Sequence, residues 1–344
     1  MKYRSVMAAR RGGPEVLQVV ENELRPPAPG EARVKIIAAP VCAPDVTIRY
    51  GKTPFPPRPP FVPGYSIIGE VDALGSSRPS SGDSAASPAV GERVGALTVL
   101  GGYAEYIYLR QKDLIPVPAE LDPAEASTLV LNYLVAYQTL HRTAKVKAGE
   151  KALIVGASGG IGTAYLQLGR LAGLKMYGIA SQSKHAILTR YGATPIDYHT
   201  QDFVQVIRRA EPEGLDVVFD GMGEAYLQGG FALLRRGGRW VGYANPGSYA
   251  ATFRLLGRVL LYNLQPNGKS AAYYGTGASR FNRRPFLEDW AALFKLLEEG
   301  KIKPVIMQKF PLLEAAQANA LLESGQVIGN IVLAAPEWKT EREK

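Results

Sequence analysis

The hydrophobic pattern divides the chain into three regions. Residues 1–122 contain short apolar or alternating segments between Gly and Pro, which predicts strands separated by turns. In residues 123–265, short apolar segments alternate with amphipathic ones, which predicts strand–helix units and a parallel sheet covered on both faces. Residues 266–344 have a Tyr- and Gly-rich stretch before further helices and strands. We therefore expect an α/β protein whose first domain is interrupted by a second and completed by the C-terminal segment.

Three local patterns refine this division. Asp122 and Pro123 precede a run with helical apolar spacing, which predicts a helix capped by Asp122. Residues 76–90 are rich in Ser, Pro, Ala and Gly, and they lie between predicted strands. We expect them to form a surface loop inside the first domain. The apolar segment 254–266 carries two arginines; we expect a flap over the site or part of a dimer contact, in preference to a membrane-surface helix.

Composition is that of an ordinary globular protein. The chain has 344 residues, of which 46% are hydrophobic and 21% charged. No apolar run is long enough to cross a bilayer, and the N-terminal sequence MKYRSVMAARRGG lacks the apolar segment of a signal peptide. We therefore expect a cytoplasmic protein.

The ionisable and metal-binding side chains limit the possible sites. The only cysteine, Cys42, excludes an internal disulfide, and with only three histidines a site of several Cys and His ligands is not expected. The net charge of +9 fits either a polyanionic partner or a simple surplus of surface cations. The sequence has no basic run of the kind found in nucleic-acid patches. The second interpretation is therefore favoured, and a nucleic-acid partner is not expected.

A glycine-rich turn predicts a dinucleotide site. The sequence ALIVGASGGIG at 152–162 leads from an apolar strand into a helix, and a second strand, KMYGIA, follows. Glycines allow unusual dihedrals and a close approach to a pyrophosphate, and the helix N-terminus attracts phosphate. The candidate residues here are Ser158, Gly159, Gly160, Ile161 and Gly162.

The end of the second strand indicates which dinucleotide binds. NAD sites place Asp or Glu there for the ribose hydroxyls, whereas NADP sites carry neutral or cationic groups. This chain has Ser181, a possible hydrogen-bond donor, and Lys184, a possible partner for a 2′-phosphate, with no carboxylate between them. Tyr198, after the third strand, is a further candidate. The sequence thus favours NADPH.

Beyond these patterns, the chain resembles the medium-chain dehydrogenase/reductase superfamily, and most closely its zinc-free branch of quinone and enoyl reductases. The resemblance covers nearly the whole chain. It rests on the segments VCAPDVTIRYG (41–51), PFVPGYSIIGEV (60–71), GERVGAL (91–97), GGYAEY (101–106), LNYLVAYQTL (131–140), GASGGIG (156–162), LDVVFDGMG (215–223), LRRGGRWVGYA (234–244) and GNIVL (329–333).

The resemblance implies a GroES-like β-barrel catalytic domain and a Rossmann domain with a doubly wound parallel sheet, with a cleft between them. It also implies a homodimer or larger homo-oligomer. Three further residues occupy positions that would border the cofactor: Asn132, Gly221 and Asn330. Relatives frequently carry Lys at the position of Asn330.

Zinc-dependent members of the superfamily differ from this chain at their metal ligands. Cys42 matches their ligand cysteine, but Tyr65 stands where they have a histidine, and the third position falls near Leu131 and Asn132. The four-cysteine structural lobe is also missing. Because one thiolate cannot hold a tetrahedral zinc, we expect no metal.

Without a metal, the expected function is NADPH-dependent hydride transfer to a quinone or an α,β-unsaturated carbonyl compound. The candidate catalytic residues implied by the resemblance are Cys42, Asp45, Tyr50 and Tyr65, with either tyrosine donating a hydrogen bond or a proton to a carbonyl oxygen. The family's tyrosines near positions 47 and 53 are both threonine here.

Two alternatives remain open at this stage. One is an enoyl-thioester reductase of lipid or polyketide synthesis. The other is a non-enzymatic protein that binds NADPH as an effector.

Overall fold

The computed structural model of the protein describes residues 1–76 and 88–336. The predicted surface loop at 76–90 therefore lies mostly outside the described residues. The chain divides into two compact units. The first contains Met1–Gly51, Pro56–Leu131 and Trp290–Lys344, and the second contains Lys52–Phe55 and Asn132–Asp289.

The strands are β1 (Lys2–Ala8), β2 (Leu17–Glu23), β3 (Glu31–Val41), β4 (Ser66–Leu74), β5 (Arg93–Leu97), β6 (Tyr106–Arg110), β7 (Ile115–Pro116), β8 (Lys151–Val155), β9 (Lys175–Ala180), β10 (Thr194–Asp197), β11 (Leu215–Asp220), β12 (Leu234–Gly242), β13 (Ser270–Tyr273), β14 (Ile306–Pro311) and β15 (Asn330–Ala334).

The α-helices are α1 (Ala43–Arg49), α2 (Pro123–Thr128), α3 (Leu134–Gln138), α4 (Gly160–Leu171), α5 (His185–Arg190), α6 (Phe203–Ala210), α7 (Glu224–Ala232), α8 (Tyr249–Leu264), α9 (Arg284–Glu298) and α10 (Ala315–Glu323). Short 3-10 segments occupy Pro14–Val16, Gln111–Asp113, Gln182–Lys184 and Thr276–Arg280, and π-helical segments occupy Leu129–Tyr133 and Thr139–Ala144.

The first unit is built on a mostly antiparallel sheet. Its strand order is β14-β15-β3-β4-β5-β7, with β6 also paired to β3, and β1 and β2 form a separate hairpin. Among the described strands of this sheet, only the β14–β15 pair is parallel. Alternate residues of the long strand β3 enter one apolar core, among them Ala32, Val34 and Ile36. This period of two is the pattern from which the strands were predicted.

The second unit contains the predicted parallel sheet. Its strand order is β10-β9-β8-β11-β12-β13, and all of its pairs are parallel. This is the order of a doubly wound dinucleotide-binding sheet, in which the chain starts in the middle and builds outward on each side in turn. Every residue of β11 is buried, as expected for a strand covered on both faces.

The predicted helix after Asp122 is present. The Asp122 side chain accepts a hydrogen bond from the backbone N–H of Glu125 at 2.9 Å, and Pro123 opens α2. The helix continues through the two π-helical segments and α3, and its end at Lys145 has φ 51°. π-Helical turns within α-helices often occur near functional sites.

One side chain fastens α8 to the edge strand of the second sheet. The Asn263 amide donates to the carbonyl oxygen of Ala271 at 2.9 Å, and its oxygen accepts from the N–H of Ala271 at 2.9 Å. Leu255, on the same helix, is buried in the core of this unit. The helix is therefore held against the sheet by a polar and an apolar contact.

The two units differ in extent from the predicted segments. Residues 123–131 belong to the first unit, and residues 266–289 belong to the second. The second difference has a clear cause, because β13 pairs with β12 and completes the six-stranded sheet. None of the helices in the described residues is both long and apolar enough to span a membrane.

Candidate active site

The glycine turn after β8 has the shape that a bound dinucleotide requires. Gly156 has φ +76°, in the left-handed region that favours glycine. A Cβ on Gly162 would lie 2.5 Å from the carbonyl carbon of Ala157, whereas a Cβ on Gly159 would meet only a carbonyl oxygen at 3.7 Å. The turn therefore packs tightly against α4 through Gly162 and leaves open space in front of Gly159.

The predicted residues 158–162 meet at the N-terminus of α4. Gly159 is the N-cap and contributes no side-chain hydrogen bond, and Gly160 and Ile161 begin the helix. Ser158 is buried just before it. The first N–H groups of a helix have no partner inside it and lie at the positive end of its dipole. This N-terminus is therefore suited to a phosphate group.

The turn lies at the point where the strand order reverses. β8 and β11 are neighbours, and Val155 is in register with Asp220 at their carboxyl ends. Past these ends, the Met222 sulfur lies 3.7 Å from the position of a Cβ on Gly156. Open α/β sheets bind their ligands in the crevice outside such a reversal. The residues that follow β8 and β11 therefore form the candidate cofactor site.

Asp220 is a candidate functional residue that the sequence analysis did not select. It is fully buried, and its Oδ1 accepts hydrogen bonds from the backbone N–H groups of Met222 at 2.8 Å and Gly223 at 2.9 Å. Burial raises the pKa of Asp220 to about 6, against the opposing effect of the hydrogen bonds from these two backbone groups. The carboxylate thus holds the turn after β11 in shape. A polar residue that ends the apolar segment LDVVF is the signal that could have identified it.

The predicted residue Gly221 lies in this turn. A Cβ there would come within 2.7 Å of the ring of Tyr243, which follows β12. Tyr243 in turn lies 5.5 Å from Tyr165 between ring centroids. Gly221 is therefore required for close packing, and Tyr243 is a second residue at this edge of the sheet that the sequence analysis did not select.

The end of β9 carries the residues predicted to distinguish NADPH from NADH. Ser181 lies just after the strand, with its hydroxyl 3.3 Å from that of Ser183. Lys184 ends the following 3-10 segment, and partial burial lowers its pKa. Tyr198, beyond the neighbouring strand β10, is half exposed, and its ring lies 4.1 Å from that of His199. Because β9 and β10 are parallel neighbours, these residues follow the same edge of the sheet.

The carboxylate of Asp197 lies next to these residues. It ends β10 in register with Ala180 of β9. Its oxygens accept from the Thr200 hydroxyl at 2.8 Å and from the His199 N–H at 3.2 Å, and the hydrogen bond from Thr200 is the main reason that its pKa is lowered. The Asp197 carboxylate thus accepts hydrogen bonds from the loop that follows β10.

In the first unit, Cys42 and Asp45 form the start of α1. The Asp45 carboxylate accepts from the N–H of Cys42 at 2.8 Å and from the N–H of Gly64 at 3.1 Å. Burial raises the pKa of Asp45 to about 6 and raises that of the Cys42 thiol well above its usual range. Asp45 therefore ties α1 to the loop that carries Tyr65, and the Cys42 side chain is a neutral thiol.

The two candidate tyrosines of this unit differ in environment. Tyr50 lies at the end of α1, and its hydroxyl donates to the Glu323 carboxylate at 2.8 Å. Arg49, fully buried beside it, also binds Glu323. Tyr65 is half-buried against the core, and its carbonyl oxygen accepts from the N–H of Thr98 at 2.9 Å.

The remaining candidates are two buried amides. Asn132 lies in the first π-helical segment. Asn330 begins β15, where its backbone N–H and its side-chain amide donate to the carbonyl oxygen of Val305 at 2.8 and 2.9 Å. Part of the hydrogen-bonding capacity of Asn330 is therefore used to join β15 to the preceding loop.

Comparison with known proteins identifies the family. Residues 28–119 match the alcohol dehydrogenase GroES-like domain, and residues 191–333 match the zinc-binding dehydrogenase family. The quinone oxidoreductase of Lama guanicoe is 30% identical over 337 residues, which cover 96% of this chain and 97% of that protein. The chain belongs to the quinone oxidoreductase-like branch of the medium-chain dehydrogenase/reductase family.

Two solved structures are similar to this chain over nearly their whole length. Escherichia coli quinone oxidoreductase, complexed with NADPH, has a TM-score of 0.84 and 26% identity, with 96% of this chain and 99% of that chain covered. A 2-haloacrylate reductase has a TM-score of 0.79 and 28% identity, with 97% and 99% covered.

The expected family, the α/β fold class and the assignment as an oxidoreductase are confirmed. The comparisons favour neither an enoyl-thioester reductase nor a non-enzymatic binding protein. One family description refers to zinc, yet no group of three His, Cys, Asp or Glu side chains within residues 1–76 and 88–336 is arranged to hold a metal ion. The cytoplasmic location and the homodimer stay predictions.

Proposed function

We propose that this oxidoreductase uses NADPH, without zinc, to transfer hydride to a quinone or an α,β-unsaturated carbonyl compound. The observation that carries the proposal is the carboxyl edge of the second sheet. There, a glycine turn at the reversal of strand order is followed one strand later by Ser181 and Lys184 in place of a carboxylate. Such an arrangement suits a dinucleotide with a 2′-phosphate.

The residues of the second unit would hold the cofactor. The N–H groups at Gly160 and Ile161 would bind the pyrophosphate, and the open space at Gly159 would let it approach the backbone. Ser181 and Lys184 would bind the 2′-phosphate. NADPH, which the Escherichia coli relative contains, would supply the hydride when bound.

The first unit would supply the groups that act on the acceptor. Tyr65 is the candidate hydrogen-bond donor to a carbonyl oxygen on which negative charge develops. Asp45 would position it by holding Gly64, and Cys42 would add a neutral, buried surface. Tyr50 is a second candidate donor, although in the structure its hydroxyl donates to Glu323.

The names of two relatives support the acceptor class. One is a quinone oxidoreductase and another is a 2-haloacrylate reductase. A quinone and a haloacrylate both contain a carbon–carbon double bond conjugated to a carbonyl or carboxylate group. An electron-poor conjugated acceptor is therefore the chemistry common to both names.

The proposal is tested by measuring NADPH oxidation at its absorbance band with a panel of quinones, enones, 2-haloacrylates and enoyl thioesters. We expect turnover with at least one quinone or enone. Turnover restricted to enoyl thioesters, or NADPH binding without turnover of any acceptor, would contradict it.

The contribution of Lys184 is tested separately by binding. We expect Lys184→Ala to weaken NADPH binding by about 5- to 150-fold, since a charge-assisted hydrogen bond contributes roughly 1–3 kcal/mol. Its affinity for NADH should not change. The control is Lys147→Ala, which removes an exposed lysine just before β8, at the opposite edge of the sheet. Equal affinity of the wild type for NADH and NADPH, measured by calorimetry, would sink the assignment.

A further inference from the structure

A chain of buried hydrogen bonds begins at Arg142 and ends at the carboxyl edge of the second sheet. The Arg142 guanidinium donates to both oxygens of the Asp289 carboxylate, from Nε at 2.6 Å and from Nη2 at 2.7 Å. Asp289 also accepts from the side-chain amide of Gln138 at 2.7 Å, and the Gln138 oxygen accepts from the Tyr274 hydroxyl at 2.6 Å. Asp289 and Gln138 are each 3% exposed, so water competes little for these bonds.

The charges at the start of this chain fix the direction of every bond in it. The Arg142 guanidinium can only donate, and its hydrogen bonds to Asp289 are the main reason that its pKa is raised. An ionised carboxylate can only accept, so the nitrogen of the Gln138 amide must face Asp289 and its oxygen must face Tyr274. The Tyr274 hydroxyl therefore donates to Gln138 and is held in one orientation.

Tyr274 directly follows β13 at the carboxyl edge of the sheet. Its N–H donates to the carbonyl oxygen of Gly242, the last residue of β12, at 2.8 Å. The hydroxyl of the neighbouring Tyr273 donates to the carbonyl oxygen of Ala244, in the segment after β12, at 2.7 Å. The segments that follow β12 and β13 are thus bonded to each other, and Gln138 fastens them to α3.

The residue after Tyr274 leaves open space at this edge. Gly275 has φ −150°, in the extended region that any residue adopts, and no atom lies within 4 Å of the position of a Cβ there. Neither the backbone conformation nor packing among the described residues therefore requires glycine at 275. Gly159, at the proposed pyrophosphate site, is similarly open. Glycine at such a position suits the close approach of a ligand to the backbone.

The order of the strands determines which half of a dinucleotide would reach this position. The proposed pyrophosphate site lies at the reversal between β8 and β11, and the residues proposed for the 2′-phosphate follow β9 on one side of it. A dinucleotide spans both halves of such a sheet. Its nicotinamide half would therefore extend over the ends of β11, β12 and β13, where Tyr274 and Gly275 lie.

We propose that Gln138 is a positioning residue for the nicotinamide half of NADPH, because through Tyr274 it holds the segment after β13 against which the nicotinamide group lies. The inference rests on the proposed NADPH-dependent function. Gln138 acts without touching the cofactor: its bonds are already formed in the free protein, so the segment need not be ordered when NADPH binds.

The first test compares the binding of two ligands by calorimetry. NADPH contains both halves of the dinucleotide, whereas adenosine 2′,5′-bisphosphate contains only the adenosine half and its phosphates. We expect Gln138→Leu to weaken NADPH binding by about 10-fold or more and to change the affinity for the bisphosphate by less than about 2-fold. Tyr274→Phe removes one hydroxyl and leaves the bond between Gln138 and Asp289 in place, and it should show the same selective loss.

The matched control is Gln167→Leu. Gln167 is also buried, and its amide donates to a tyrosine hydroxyl, that of Tyr191, at 3.1 Å. Tyr191 follows α5 and precedes β10, so this bond lies toward the amino edge of the same sheet. We expect Gln167→Leu to leave the affinity for NADPH unchanged even where it lowers the free energy of unfolding in urea.

The second test observes the nicotinamide group directly. Reduced nicotinamide is fluorescent, and its emission depends on its surroundings. With protein in excess, so that all NADPH is bound, we expect the emission in Tyr274→Phe to shift from that of the wild-type complex toward that of free NADPH. Gln167→Leu should give the wild-type emission.

Three results would overturn the proposal: an NADPH affinity unchanged in both Gln138→Leu and Tyr274→Phe, a parallel loss of affinity for both ligands, or an equal loss in Gln167→Leu. These measurements need no turnover. A wild type that binds NADPH but reduces no acceptor would therefore contradict the proposed function alone, whereas selective binding that does not depend on Gln138 would contradict this inference alone.

Discussion

At the scale of single residues, two glycines of the same turn have different tasks. Gly162 is needed for folding, because a Cβ there would collide with the backbone at Gly156 and Ala157. Gly159 has room for a methyl group in the folded chain, but that methyl group would occupy the space proposed for the pyrophosphate.

These tasks predict opposite outcomes for two substitutions. We expect Gly162→Ala to lower the free energy of unfolding by about 2–4 kcal/mol, as overpacking against backbone does. Gly159→Ala should unfold like the wild type in urea and bind NADPH at least about 10-fold more weakly. Urea denaturation measures the stability of both variants, and calorimetry measures their affinity for NADPH. A destabilised Gly159→Ala, or a Gly162→Ala of wild-type stability, would contradict the assignment.

The buried carboxylate of Asp220 predicts a dependence of stability on pH. Its pKa is raised from 3.8 to about 6, so between these values the folded chain holds a proton that the unfolded chain releases. The contribution of Asp220 to the free energy of unfolding therefore falls as the pH rises through this window and stays low above it.

Asp220→Asn should remove this dependence while keeping an oxygen that accepts from Met222 and Gly223. Between pH 4 and pH 8, we expect the free energy of unfolding of the variant to rise by roughly 1–3 kcal/mol relative to that of the wild type. Urea unfolding at several pH values measures this difference. Asp202→Asn, at the exposed N-cap of α6, is the control. A difference between Asp220→Asn and the wild type that does not vary with pH would show that Asp220 does not titrate as described.

The sequence was a good guide to residues whose role depends on near neighbours. The turn at 156–162 and the cap at Asp122 were predicted because each is specified within a few positions. Asp220 was missed because its burial comes from strands far away in the sequence. Glu323, the partner of Tyr50, lies 273 residues from it, and no local pattern connects the two.

At the scale of elements, Glu211 joins the starts of two strands of the second sheet. It follows α6, and its buried carboxylate binds Lys151 of β8 at 2.5 Å, Lys175 of β9 at 2.6 Å and the Tyr177 hydroxyl at 2.6 Å. Burial raises its pKa, but these hydrogen bonds outweigh burial and lower the pKa to about 2.

We expect Glu211→Gln to lower the free energy of unfolding by about 1–3 kcal/mol at pH 7, because the buried negative charge that accepts these hydrogen bonds is lost. The loss is limited because the lysines are partly exposed and stay hydrated. A lowered carboxyl pKa stabilises the fold above the unfolded value of 4.5, and this stabilisation is lost as the pH falls toward 2. The difference between Glu211→Gln and the wild type should therefore shrink in acid. The control is Glu213→Gln, two residues away and exposed; an equal loss in both variants would contradict the assignment.

The strand–helix alternation predicted most of the second sheet, because each element carries its own apolar period. It did not assign β13 to that sheet. The stretch AAYYGTGAS differs in composition from the other strands, and β13 joins the sheet only through long-range pairing with β12.

At the scale of the whole molecule, the family contains both zinc-dependent and zinc-free enzymes. This chain has Tyr65 at a ligand position and a single, buried Cys42. We expect dialysis of the purified protein against EDTA to leave NADPH oxidation unchanged and elemental analysis to find less than about 0.1 zinc per chain. Stoichiometric zinc, or activity that EDTA removes and zinc restores, would contradict the zinc-free assignment.

The bond between Asn263 and Ala271 also bears on how the chain reaches its fold. The two residues are only eight positions apart, so the amide can engage the strand early, with little cost in loop closure. Both backbone groups of Ala271 that face away from β12 are then occupied, so a further strand cannot pair at this position of the edge. During synthesis or refolding, the chain itself thus protects this residue of the edge strand from pairing with another chain.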